Sequence, residues 1–179
     1  HVSLYKISRN LYKNAFGNKV IFEEINHDLE ISFTYEWNST DRYGFVRKSL
    51  LSNAGTSQVK VQFIDGIQNV LPFGIEQALQ NSTSNLVDAY KRTELVAGSS
   101  LAVFALSAII VDKAEPSEAL KSNVAWSIGL DNPKILLSSL QLDTFRRGQQ
   151  VSQETDVKAE KGAYFLNSEV SLEPQQSKE

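Results

Sequence analysis

Four ionisable residues, Glu23, Glu24, His27 and Asp28, fall in the stretch FEEINHDL of a 179-residue chain. Carboxylates beside an imidazole can ligate a cation or share a proton in acid–base chemistry. Either task needs side chains that converge. On an extended strand, neighbouring side chains leave opposite faces, so Glu23 and Glu24 cannot chelate together without a bulge. Asn26-His27-Asp28 has the composition of a turn. The expectation is therefore that these four are solvent-side and turn residues, with no metal and no cofactor bound.

Other reactive constellations are missing from the sequence. There is no cysteine, which removes thiolate catalysis, disulfides and cysteine zinc sites. The two histidines are His1 and His27. Ala97-Gly98-Ser99-Ser100 lacks the second glycine of a nucleophile elbow, and no phosphate-binding glycine motif occurs. Paired carboxylates for glycoside cleavage could come from distant positions, and nothing in the sequence singles out a pair.

The segment YEWNSTDRYGF (35–45) is richer. Aromatic faces beside charged or amide groups make carbohydrate sites, which marks Trp37, Arg42 and Tyr43 as candidate sugar-binding residues. The plainer reading makes Tyr35 and Trp37 core residues of a strand, and it is the favoured one. It is favoured for Tyr43 too, less strongly, because Tyr43 sits near a loop.

The elements that would position these residues are mostly strands. In LEISFTYEW (29–37) apolar and polar residues alternate without a break, as on a strand with one buried face. QVKVQF (58–63) repeats the pattern. Further strands are predicted at 18–25, 44–52, 86–97, 100–111, 122–130 and 163–172. Turn residues separate them, such as Asn53-Ala54-Gly55 and Asp131-Asn132-Pro133. Two short helices are predicted, over 73–81 and over 138–148, the second ending at Gly148 as its C-cap. Strands with few helices give a mostly β fold: an antiparallel β-sandwich, or supersandwich, with one or two short helices.

Composition fits one globular domain spanning 1–179, with 41% hydrophobic and 22% charged residues. The net charge of −3 and the scattered 18 Lys and Arg give no support to nucleic-acid binding. No apolar run reaches the ~20 residues that span a bilayer, so no membrane partner is expected. Asn38-Ser39-Thr40 and Asn81-Ser82-Thr83 match the glycosylation sequon, a triplet that arises often by chance. The chain starts at His1, holds no Met, and ends in SLEPQQSKE with no closing turn or cap. It is expected to be a segment of a longer protein.

The run GNKVIFEEINHDLEISFTYEWNSTDRYGFVRKSLLSN resembles the N-terminal sandwich domain of large bacterial carbohydrate-active enzymes. QFIDGIQNVLPFG, TSNLVDAYKRTEL, AEPSEALKSNVAWSIG and KGAYFLNSEVSLEPQQSKE are similar to the same type of domain. The family it resembles is that of the glycoside phosphorylases that include cellobiose phosphorylase. There a galactose-mutarotase-like supersandwich precedes an (α/α)6 catalytic barrel. The resemblance implies that the catalytic residues lie on the barrel, so none is carried over here. It implies a non-catalytic domain of a phosphorylase or glycosidase that packs on the helical barrel of its own polypeptide and borders a sugar cleft. Candidate partners are that barrel, an oligosaccharide and a second copy of the chain. The expected compartment is the bacterial cytoplasm, with the periplasm as the alternative. A free-standing sugar- or protein-binding module remains the other reading. A mutarotase-like enzyme is a weaker third, since it needs a His and a carboxylate converging in a cleft.

Overall fold

The computed structural model describes residues 4–108, 110 and 120–179. Its elements begin with strands β1 (Ile7–Lys13), β2 (Lys19–Asn26), β3 (Ile31–Thr40), β4 (Gly44–Asn53) and β5 (Val59–Val70). Helices α1 (Gln77–Ser82) and α2 (Ser84–Tyr90) follow, then β6 (Lys91–Leu95), β7 (Ala102–Leu106), β8 (Asn123–Ala125) and β9 (Lys134–Leu136). The chain closes with α3 (Leu142–Arg146), β10 (Asp156–Lys158), β11 (Gly162–Leu172) and β12 (Ser177–Lys178). The fold is mostly β and antiparallel, with few short helices. The chain divides into two compact units, His1–Val61 with Glu169–Glu179, and Gln62–Ser168.

The first unit holds a five-stranded sheet in the order β1-β2-β3-β4-β12. The alternation of 29–37 becomes β3, which pairs along its whole length with β4 from Ile31↔Asn53 to Thr40↔Gly44. One face carries the row Leu11, Phe22, Tyr35 and Ser49 in direct register. The next positions on that face are Lys13, Val20, Trp37 and Arg47. The expected buried face of β3 is only half-buried, for every residue from Ile31 to Asn38 has intermediate exposure. The strand is as expected, but the core lies elsewhere. Between β2 and β3, the Asn26 side-chain oxygen accepts the N–H groups of Asp28 and Leu29 at 3.2 and 3.0 Å, so this segment is a turn. At the end of β4, Asn53 is buried. Its amide donates to the Ser57 and Leu172 carbonyls and accepts from the Gly55 N–H, which satisfies a polar group that would otherwise be costly there.

The second unit is a β-sandwich. One sheet runs β10-β6-β7-β8, the other β5-β11-β9. Their shared core is Ala102 and Phe104 from β7, Ile135 and Leu137 in and after β9, and Tyr164 from β11. A smaller cluster of Leu136, Val151, Ala163 and Phe165 lies against Leu142 and Phe145 of α3. Tyr164 donates its hydroxyl to the Ser100 carbonyl at 2.6 Å and pairs with Ser127 at 2.9 Å. Burial pushes that phenol above its ordinary value. Glu154 fastens the loop after β9 by accepting the N–H groups of Leu137 and Ser138 at 2.7 and 2.9 Å.

Three helices occur among the described residues, where one or two were expected. The segment predicted as a strand over 86–97 is instead α2 followed by β6. Leu86, Val87, Ala89 and Tyr90 do not alternate; they recur at three- and four-residue spacing, and Val87 is fully buried. Alternation starts only at Lys91. The strands β1, β9, β10 and β12 were not expected. Residues 109 and 111 of the strand predicted over 100–111 lie outside the described residues, as does His1, and β7 is confined to Ala102–Leu106.

Candidate functional site

Glu23, Glu24, His27 and Asp28 do not meet at a shared point. Glu23 and Glu24 sit opposite Asn10 and Arg9, on successive positions of β2 and therefore on opposite faces. Glu23 accepts hydrogen bonds from the Asn10 amide at 2.8 Å and the Tyr12 hydroxyl at 2.9 Å. Glu24 pairs with the Arg9 guanidinium at 2.7 Å. His27 shares a hydrogen bond with Ser8 at 2.7 Å, and Asp28 accepts the Lys6 N–H at 2.6 Å. All four ties run to β1 or to the residue before it, so these side chains fix the pairing of the edge strand. The hydrogen bond to Glu23, then partial burial and the carboxylate's charge, raise the Tyr12 phenol above its ordinary value. Among the described residues no three His, Cys, Asp or Glu side chains cluster to hold a metal ion. Glu24→Gln removes one exposed ion pair. It is expected to move the thermal midpoint by no more than about 3 °C, as exposed pairs contribute little. A melting curve checks this.

The candidate sugar residues occupy the β3–β4 hairpin. Trp37 lies on β3, half-buried, directly across from Val20 and Arg47. Tyr35, two residues earlier on the same face, stacks on Phe22 at 4.8 Å between ring centres and 13° between planes. It also carries the Arg47 guanidinium 4.4 Å from its ring centre. Its stacking surface is therefore already used by the protein itself. Arg42 and Tyr43 lie together in the turn, with the Arg42 guanidinium 5.3 Å from the Tyr43 ring centre. Thr40 shapes this turn: its hydroxyl oxygen accepts the Tyr43 N–H at 3.0 Å, and its O–H donates to the Gly44 carbonyl at 3.1 Å. Gly44, at φ 67°, takes the left-handed conformation that a glycine allows. Tyr43 is 57% exposed and Phe45 is 79% exposed. Phe45 stands opposite Ser39, on the face of Trp37 and Arg47. The structure thus joins Arg42 to Tyr43, adds Phe45, and leaves Trp37 further down the sheet.

A separate recess of about 390 Å³ lies in the second unit, lined by β5, α3 and Phe165 of β11. None of the candidate site residues Trp37, Arg42 and Tyr43, and none of Glu23, Glu24, His27 and Asp28, lines it. It is assembled from positions about a hundred residues apart, which no local pattern brings together.

No helix among the described residues is long and apolar enough to cross a membrane. No protein-family model matches the chain, and no curated protein sequence matches it. The fold and the side-chain geometry define an antiparallel β-sandwich protein whose most prominent ionisable cluster is structural.

Proposed function

We propose that the chain is a non-catalytic β-sandwich part of a larger bacterial carbohydrate-active enzyme, a glycoside phosphorylase or glycosidase. In that role it packs on a helical catalytic barrel and borders a sugar cleft, in the cytoplasm. One observation carries the reading. The groups best suited to chemistry, Glu23, Glu24, His27 and Asp28, are each spent on strand-to-strand or turn bonds rather than on a shared point. The strand pattern and the resemblance of the run 17–53 to such domains support the same reading. The parent gene tests it. A long helical segment encoded after Glu179, with an acidic residue in a cleft, is the expected finding; a parent with no helical barrel overturns the proposal.

A second reading, a free-standing binding module, is favoured by the exposed Arg42, Tyr43 and Phe45 at the hairpin end. Calorimetry of the isolated protein with β-gluco-oligosaccharides separates the two. If the module reading holds, Tyr43→Ala weakens binding about fivefold, since an aromatic stacking contact contributes on the order of 1 kcal/mol. Trp37→Ala has a smaller effect, because Trp37 is half-buried in its strand. Absence of heat from the unaltered protein overturns the module reading.

A further inference from the structure

We propose that the recess on the second unit binds a small organic anion with an apolar body, such as an aryl or short-chain monocarboxylate. The proposal is independent of the reading above. The recess has about 390 Å³ of free volume, within the range of small-molecule sites. Its walls mix apolar and polar surface: on the apolar side Phe165 of β11 is buried, and Leu142 and Phe145 of α3 are half-buried beside it. From β5, Gly66 contributes bare backbone and Gln68, two residues on, an exposed amide.

Charge decides the class of ligand. Among the described residues that line the recess, Arg146 is the one ionisable group, and there is no carboxylate. A cation and an amide lining the same recess as two aromatic rings complement a carboxylate on a ring or short chain. The Arg146 guanidinium now rests on Asp143 at 2.8 Å, but both side chains are at least 70% exposed. An exposed pair of this kind is worth little, so a ligand carboxylate can take its place at small cost. Asp143 itself does not line the recess.

The probe pair is phenylacetate and its neutral isostere phenylacetamide, titrated into the 15N-labelled full chain up to about 20 mM. That ceiling suits a ligand of about ten heavy atoms. Phenylacetate is expected to shift amides near Gly66 on β5 and near Phe145 on α3, and to bind about fivefold more tightly than phenylacetamide. Arg146→Gln, at an exposed position that does not threaten the fold, makes the two probes equal. Arg147→Gln leaves the preference intact, because Arg147 does not line the recess. Absence of shifts at those amides overturns the proposal. So does equal binding of acid and amide by the unaltered protein, or equal loss in the Arg146 and Arg147 variants.

Discussion

Gly66→Ala is expected to abolish the folded second unit. A Cβ at this position would lie 2.0 Å from the Tyr164 carbonyl oxygen and 2.8 Å from the Phe165 Cα. Both obstacles are backbone, so no rotamer change relieves them. The backbone at Gly66 also has φ 156°, a conformation side-chain-bearing residues rarely adopt. Relief would require β5 and β11 to part at their meeting point, in the middle of the three-stranded sheet. Tyr164 and Phe165 are buried there, one in each hydrophobic cluster, so the shift would open both. The expected cost exceeds about 4 kcal/mol, the range of the most damaging single substitutions. Gly98→Ala is the control. Gly98 also has a positive φ, of 72°, but nothing lies within 4 Å of its added Cβ. It should lose only about 1–2 kcal/mol of backbone preference. Urea melts followed by circular dichroism distinguish the two. A soluble Gly66→Ala protein with a midpoint matching Gly98→Ala would show that the close approach of the two backbones is not needed.

The contrast between these glycines also explains what could be read in advance. The hairpins from β2 to β4 were legible because alternation, turn residues and strand length agree over 18–53. Helix α3 was legible through Leu142 and Phe145 and through Gly148, whose φ of 74° ends it as a C-cap glycine does. Gly66 lies inside a strand pattern, where a glycine signals close backbone approach but not its partner. That partner is a hundred residues away. The strands β9 and β10 have three residues each, too short for a period to register. β1 shows no clean alternation, and its pairing with β2 from Ile7↔Asn26 to Lys13↔Val20 is what places it. The same limit applied to the sites. The hairpin turn was visible as a local cluster of aromatics and charge. The recess was not, because its cation, amide and rings come from three separate elements.

Lys91→Ala is expected to cost about 2–3 kcal/mol at neutral pH, below the range for a fully buried ion pair because the Asp88 side chain left behind is 21% exposed. Lys91 begins β6, where the chain leaves α2, and its side chain is 2% exposed. Its ammonium donates to Asp88 at 2.7 Å and to the Gln80 carbonyl oxygen, and Gln80 in turn donates to Asp88 at 3.1 Å. This triad ties α1 and α2 to the first residue of the four-stranded sheet. Burial alone would raise the Asp88 carboxyl. The hydrogen bonds from Lys91 and Gln80 and the charge of Lys91 outweigh it, and hold the group below its ordinary 3.8. A carboxyl lowered on folding stabilises the native state above its unfolded value, and the benefit is lost as pH falls through the lower folded value. The intact protein should therefore lose this contribution on acidification below about 4. In Lys91→Ala the hydrogen bond and charge of Lys91 vanish while burial, the Gln80 hydrogen bond and the charge of Lys161 remain, so the lowering of the Asp88 carboxyl on folding shrinks. That variant should have less of this contribution to lose as Asp88 protonates. The stability gap between the two proteins is thus expected to narrow as pH drops from 7 toward 3. Urea melts at several pH values measure the gap directly. A gap constant across that range would mean that Lys91 supports the fold by packing its stem rather than by its charge. Lys91→Met, which keeps the stem and deletes the charge, would then be as stable as the unaltered protein.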